Sequence, residues 1–538
     1  MIKKILHSKI NSIAMAAFLV AFSSLASRLL GVIRDRILAS SFGAGDALDV
    51  YYAAFRLPDM IYNLLVLGAL SAGFIPLFAK KLKREGEDQA EAWQVANNLI
   101  NILGFSLLVI SLLGIIFAPG LMHIFTPGFD ADKQLLSANL SRIMFLSPII
   151  LGLSGIVGGV LQSFKRFFIY SLSPIFYNIG IIIGALYFVP LLGISGLAWG
   201  VIFGASMHLL IQLPTLYSLG FNYRFTFNLR SPEVKKIFSL MVPRTLALAI
   251  SQVDLLVSTA IASTLSIGSL SIFNFANNLQ FFPIGIFGIS FATAAFPVLA
   301  EHAHEPQKMI GYFSKVMRQI LFFIIPASVI FWLLRVEIIQ VVLGGGAFDW
   351  AATVLTFKTL GFFIISLFAQ ASIPLLVRMY YAREDSLRPF YVGLATVAID
   401  IVLAWTLSRL LGVGGIALAF SIASIINFLL LWLVLEMKIG DLDKRRIFTS
   451  ASFFCLAAGL AGLAGVATKF AANALLSSEV YYFVLIKGMI IGAVFGAVYL
   501  LCTYLFKNEE AQMLVSRFHK KISSSDLKGA DQSEARGI

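Results

Sequence analysis

Charge is scarce in this chain and cysteine nearly absent. Only 13% of the 538 residues are Asp, Glu, Lys or Arg, about half the share found in soluble domains. The two cysteines, Cys455 and Cys502, both lie inside apolar runs, which excludes a disulfide framework. There is no GxxxxGK(S/T) loop, so the chain cannot hydrolyse a nucleotide, and no HExxH or CxxC pattern for a catalytic metal or redox pair. Histidine is sparse as well. His208 reads as a packed histidine within a helix, and His302 and His304 as solvated loop residues. No connection between apolar runs is long enough to house an external catalytic domain, which argues against a membrane-embedded glycosyltransferase.

Hydrophobic length is what the chain has instead. Hydrophobic residues make up 59% of it and its mean hydropathy is +0.88, values of an all-α polytopic membrane protein. The basic N-terminus runs into an apolar stretch with no small-residue cleavage site, so it reads as a first helix that stays attached. Apolar runs of about 20 residues recur about fourteen times, from 11–39 and 47–79 to 446–472 and 480–506. Pro58, Pro174, Pro243, Pro283, Pro326 and Pro374 fall inside these runs and are expected to kink them. Fourteen spans put both termini on one side, and the cations agree. The segments on that side hold 29 of the 41 Lys and Arg residues, which makes it the cytoplasm. The net charge of +13 is therefore mostly topology, and no nucleic-acid partner is implied.

Two pairs of segments match at nearly one offset. GFIPLFAK at 73–80 resembles AAFPVLAE at 294–301, and LGISGLAWGVIFG at 192–204 resembles LGVGGIALAFSIA at 411–423, offsets of 221 and 219 residues. An offset spanning six helices relates two halves of the same orientation and places a pathway at their interface. The division is 1–220 for helices 1–6, 221–440 for helices 7–12, 441–507 for an appended helix pair, and 508–538 for a polar tail. In that tail, 508–522 reads as a short amphipathic helix and the remainder as disordered.

The charges inside the spans are the functional clue, because such groups normally face a bundle interior or a wet cavity. Helix 1 carries Arg28, Arg34 and Asp35, and helix 2 carries Asp49, Arg56 and Asp59. Arg28 lies about 17 residues, roughly 26 Å, along the run that starts at 11, inside the membrane span. In the second half, Arg244 and Asp254 fall on helix 7 and Asp400 on helix 11. Arginine suits bidentate pairing with phosphate, so a surplus of it inside the first half points to an anionic, phosphate-bearing cargo. Internal Arg–Asp pairing that merely locks the bundle is the competing account.

The ordered set SRLLGVIRD, FGAG, DVYYAAFRLP, FIPLFA, APGLMHIFTPGFDADK, LQSFKRFFIYSLSPIFYNIGII, IQLPTLYSLG, PIGIFGISFATAAFPVLA and VVLGGGAF, spread over about residues 20–440, resembles the MurJ/MviN lipid II flippases of the MOP exporter superfamily. The resemblance implies two pseudo-symmetric six-helix lobes in a V, and two C-terminal helices forming a groove for a polyprenyl tail. It also implies movement of lipid-linked peptidoglycan precursor across a bacterial cytoplasmic (inner) membrane by alternating access. Lipid II or a related undecaprenyl-diphosphate glycolipid would be the cargo, membrane lipids the surroundings, and the protein a monomer. Arg28, Arg34, Asp35 and Asp49 match charged positions of the family. Tyr62 and Asn63 stand where its better-known members carry arginines, Leu67 replaces a glutamate, and Asn278 in FANNL occupies an arginine position. Arg244 would then supply the second lobe's cation, with Arg56 and Asn278 completing the substrate-binding set. Some members hold a sodium ion between helices 7, 11 and 12. Asp254, Thr396 and Asp400 form the equivalent set here, with proton coupling the alternative; no other cofactor is implied. A MOP exporter for another undecaprenyl-diphosphate-linked glycan, of O-antigen or capsule type, is the alternative function.

Overall fold

The computed structural model describes residues 13–67, 73–82, 89–475, 481–506 and 508–512, and those residues are almost entirely helical. In chain order the first helices are α1 (Ile13–Phe42), α2 (Asp46–Ile61), α3 (Ile75–Lys81), α4 (Ala90–Phe125), α5 (Ala131–Met144), α6 (Leu146–Ser163) and α7 (Phe167–Ile183). There follow α8 (Val189–Leu192), α9 (Ser195–Leu210), α10 (Leu213–Ser218), α11 (Pro232–Ser263), α12 (Ser269–Pro283), α13 (Ser290–Glu301) and α14 (Pro306–Leu333). The last are α15 (Arg335–Val342), α16 (Trp350–Ile364), α17 (Leu367–Ala382), α18 (Leu387–Leu411), α19 (Val413–Ile439), α20 (Lys444–Leu475) and α21 (Tyr481–Leu505). Among the described residues, ten helical segments are long and apolar enough to cross a membrane, or twelve counting each of two bent pairs as one span. The tail beyond 512, and with it most of the predicted amphipathic helix, lies outside the described residues.

Several predicted single spans are broken. The run expected over 134–162 divides at Phe145 into α5 and α6. Pro148 explains this, since its ring opposes the carbonyl four residues back, at Met144, where α5 stops. The run expected over 308–343 divides at Leu334, and that expected over 351–381 bends by 47° between α16 and α17.

Prolines have a second effect. After Pro58 the chain widens into a π-helical segment, Tyr62–Leu67, and after Pro283 into another, Ile284–Ile289. Their starts are 222 residues apart, the spacing that relates the matched sequence segments. Each widened turn finds a side-chain donor for a carbonyl of its own. Thr245 Oγ1 donates to the Leu64 carbonyl at 3.0 Å, and Ser290 Oγ to that of Gly285 at 2.9 Å. Single π turns of this kind recur at functional sites.

By backbone contacts the chain forms two compact units. One comprises residues 1–276, 342–359 and 397–419; the other comprises 277–341, 360–396 and 420–538. The first is built around Phe74, Phe78, Leu99, Leu103, Val160 and Leu161, and its α7–α9 pair is drawn together by glycine. A Cβ on Gly180 would sit 2.2 Å from Gly204 Cα, and one on Gly184 2.3 Å from Gly200 Cα, the close approach that small residues permit in membranes. In the second unit, α14 packs on α20 and α21 through Phe322, Phe454 and Tyr499. Its end is pinned by Arg318, which is 4% exposed and donates to Glu510 at 2.5 Å and Glu509 at 3.1 Å.

Candidate substrate site and loop seam

α1 brings Arg34 and Asp35 into the first unit as a buried pair. Arg34 Nε and Nη2 donate to Asp35 Oδ1 at 3.0 and 2.8 Å. Its Nη1 donates to Asn178 Oδ1 on α7 at 3.1 Å. Asn178 is itself fixed, because its amide donates to the Pro174 carbonyl at 3.1 Å and to Ser27 Oγ at 3.3 Å. A guanidinium has five N–H donors in a rigid fork. Nε, Nη1 and Nη2 each make one of these bonds, and 23% of the side chain remains exposed. Asp35, by contrast, is 5% exposed. The arrangement is a cation held in one orientation beside a buried counter-ion. Arg28, nearly two turns earlier on α1, is half-buried.

Asp49 and Arg56 have other partners. Asp49 on α2 accepts the backbone N–H of Gly268 at 2.7 Å and of Ser271 at 2.8 Å, and also the Ser271 hydroxyl. It thus caps the N-terminus of α12, where amides have no helical partner and the helix dipole favours an anion. One turn of α12 further on, Asn274 accepts from Arg56 Nη2 at 3.0 Å, while Thr259 on α11 accepts from Arg56 Nε at 3.2 Å. Asp59 accepts from Asn63 at 2.9 Å.

Around Asp49 the loops that the Lys/Arg pattern assigns to the outside meet backbone to backbone. Ala347 N–H donates to the Ser40 carbonyl at 2.8 Å, and Gly128 N–H to Ser263 Oγ at 3.3 Å. Gly268 and Gly346 have φ of +86° and +62°. A Cβ there would lie 2.3 Å from the Ala44 carbonyl oxygen and 2.2 Å from that of Ser40. No side chain fits either place.

Asp254 on α11 and Asp400 on α18 are buried with their carboxyl groups within hydrogen-bonding reach of each other. No hydrogen-bond donor reaches Asp400 Oδ1. Two carboxyls this close hold one proton or one cation between them. Thr396 lies one turn before Asp400 on α18, and its hydroxyl donates back to the Gly393 carbonyl at 2.9 Å. Among the described residues no group of three or more His, Cys, Asp or Glu could hold a metal. A cation at Asp254 and Asp400 would therefore be one content with hydroxyl and carbonyl oxygens, and the orphaned Asp400 oxygen fits it. Arg244 is exposed on α11, and Asn278 is exposed on α12. Asp254 thus has Asp400 as its carboxyl neighbour, while Arg244 lies ten residues back on the same helix. His208 is packed as expected, its Nδ1 2.7 Å from Ser154 Oγ.

A sequence profile described as lipid II flippase MurJ matches residues 38–513. The chain belongs to the MurJ family. The lipid II flippase MurJ of Burkholderia cenocepacia is 28% identical over 436 residues, 79% of this chain and 84% of that protein. The probable lipid II flippases MurJ of Buchnera aphidicola (Acyrthosiphon pisum) and Thermotoga maritima are each 32% identical, over 79% and 78% of this chain and 84% of theirs. A solved MurJ, titled as an inward closed conformation, superposes with a TM-score of 0.75 at 23% identity, covering 91% of this chain and 98% of that one. An inward-facing multidrug transporter of the MATE family matches at 0.64 with 16% identity over 78% and 96%. The fold is that of the MOP superfamily. Asn178, which accepts from Arg34, and Thr259 and Asn274, which accept from Arg56, are partners that the sequence reading missed. Their one signal was an amide or hydroxyl inside an otherwise apolar run.

Proposed function

We infer that this chain is a lipid II flippase: a transporter, not an enzyme, that carries the undecaprenyl-diphosphate-linked peptidoglycan precursor from the inner to the outer leaflet of a bacterial inner membrane. Its role is in cell-wall biogenesis. The observation that carries the reading is the Arg34 fork within a MurJ chain, held between Asp35 and Asn178 with part of its side chain still exposed. A glycan flippase of the O-antigen type is not favoured, since the family profile and the relatives agree on lipid II. Complementation of a flippase-depleted bacterium, scored by external labelling of lipid II, tests this; growth without labelled lipid II outside would overturn it.

Fourteen crossings follow if α1 and the α2–α3 stretch join the twelve apolar spans, with both termini in the cytoplasm and the protein a monomer. A single cysteine at exposed Asp132 should then react with an impermeant reagent from outside, and one at Asp441 only from inside. Reaction at both from the same side would refute the count.

In the proposed cycle, cargo diphosphate meets Arg34 and Arg28 from the cytoplasmic side and displaces Asp35 as the anion beside Arg34. Asp49, capping the N-terminus of α12, and Arg56, donating to Thr259 and Asn274, keep the outer loops closed meanwhile. Arg244 and Asn278 would line the second half of the path. The polyprenyl tail would lie along α20, in a groove of about 940 Å³ lined by Phe448, Ser452, Cys455, Gly459 and Leu463. Asp254 and Asp400, with Thr396 beside Asp400 on α18, would hold a sodium ion that couples transport to its gradient. Sodium should raise the melting temperature of the wild type and do so less for Asp400→Asn. Equal stabilisation of both would dispose of this site.

A further inference from the structure

We infer that the segment joining the two repeats, residues 219–231, is an interfacial membrane anchor seated among lipid headgroups beside α4. α4 has 36 residues, about 54 Å by the helical rise, well beyond a hydrocarbon core of about 30 Å. Its apolar run begins just after Asn97, Asn98 and Asn101, which share one face of the helix. Left bare, three amides would stand where the helix enters lipid. They are covered instead by the joining segment. Asn97 donates to the Asn222 carbonyl at 3.0 Å, Asn101 to that of Thr226 at 2.9 Å, and Asn98 to that of Asn228 at 2.9 Å. In return Asn228 N–H donates to Asn98 Oδ1 at 2.7 Å, and Tyr223 hydroxyl to Asn101 Oδ1 at 2.7 Å.

This ladder does what a partner strand would do. Non-helical backbone survives at membrane depth only when its polar groups are satisfied by protein. The residues between the stitched positions then present an apolar edge. Tyr223, Phe225, Phe227 and Leu229 alternate along the extended chain and are 52%, 75%, 43% and 54% exposed. Phe227 reaches up α4 to Phe105, with ring centroids 5.7 Å apart, so the edge continues onto the apolar part of that helix. Arg224 lies within the edge, next to Tyr223 and Phe225, Arg230 closes it, and Lys235 and Lys236 follow. Aromatic rings among cations are the composition of the membrane interface, and the cations suit anionic lipid. A linker lying in water would have no reason to display four large apolar side chains at every second position. The inference depends neither on the cargo nor on which leaflet faces the cytoplasm.

The experiment uses the full chain without Cys455 and Cys502, reconstituted in liposomes of phosphatidylethanolamine and phosphatidylglycerol. A nitroxide is placed at Phe225→Cys, with Asp441→Cys as the water reference and Leu463→Cys, exposed on α20, as the lipid reference. Collision with a water-soluble nickel chelate should be several-fold lower at 225 than at 441, and collision with oxygen close to that at 463. Nickel access at 225 equal to that at 441 would overturn the anchor. Because the substitution could itself loosen the segment, Asn98→Ala is measured with the same label. It should raise nickel access at 225 toward the 441 value; an unchanged value would show that the asparagine ladder does not seat the segment.

Discussion

Arg34→Ala is expected to abolish lipid II translocation while leaving the protein inserted in the membrane. Each hydrogen bond from a charged group is worth about 1.5–3 kcal/mol. Losing two to a diphosphate therefore costs on the order of 3–6 kcal/mol, or two to four powers of ten in rate. The substitution also takes a cationic partner from buried Asp35, and breaking a buried ion pair costs about 3–5 kcal/mol. The double variant Arg34→Ala/Asp35→Ala separates these effects. It should recover wild-type stability and remain inactive in the external-labelling assay. If it flips lipid II, the pair is a structural lock and the cargo role of Arg34 falls. Asn178→Ala removes one support of the fork and should reduce flipping by roughly tenfold, the effect of about 1.4 kcal/mol. Arg28→Ala is expected to match Arg34→Ala in activity.

Asp49→Ala should open the loop seam. It leaves two buried backbone N–H groups and a hydroxyl without their acceptor, at about 1–3 kcal/mol for each, and removes an anion from the N-terminus of α12. The readout is a cysteine at Ser269, which is 1% exposed beside the capped amides. An impermeant thiol reagent should modify it slowly with Asp49 present and at least tenfold faster in Asp49→Ala, as expected when several kcal/mol of closing free energy are removed. Transport should fail as well, because cargo would meet a path open at the far end. Unchanged labelling would mean that Asp49 does not hold the seam. Ser271→Ala, which costs one hydrogen bond, should fall between the two.

How far these sites could be read from the sequence depended on the kind of physics involved. Arg28, Arg34, Asp35 and Asp49 announced themselves because a charge within an apolar run has few bland explanations. The membrane class was legible for the same reason, being a property of long stretches, and the paired π segments start within three residues of the offsets of the matched sequence segments. Partners were not legible. Nothing in FYNIGII marks Asn178 as the support of Arg34 across 144 residues, and nothing marks Ser271 as the partner of Asp49. Such pairings depend on which helix faces meet, and neutral amides and hydroxyls are common enough in membrane helices to carry no signal alone. Asn97, Asn98 and Asn101 carried a signal that went unread, since three amides at the mouth of an apolar span ask for cover. The break at Phe145 was readable from Pro148, whereas that at Leu334 has no such marker.

The loop seam has a bearing on pharmacology. Loops are ordinarily where a membrane protein tolerates change most freely, and where a target evades an antibody or a peptide by substitution. Here Gly268 and Gly346 fill their places with bare backbone, and any side chain would strike a neighbouring carbonyl. A ligand that bears on Gly346, which is exposed, would meet a position closed to substitution, because any side chain added there would strike the Ser40 carbonyl and part the loops that this glycine lets meet.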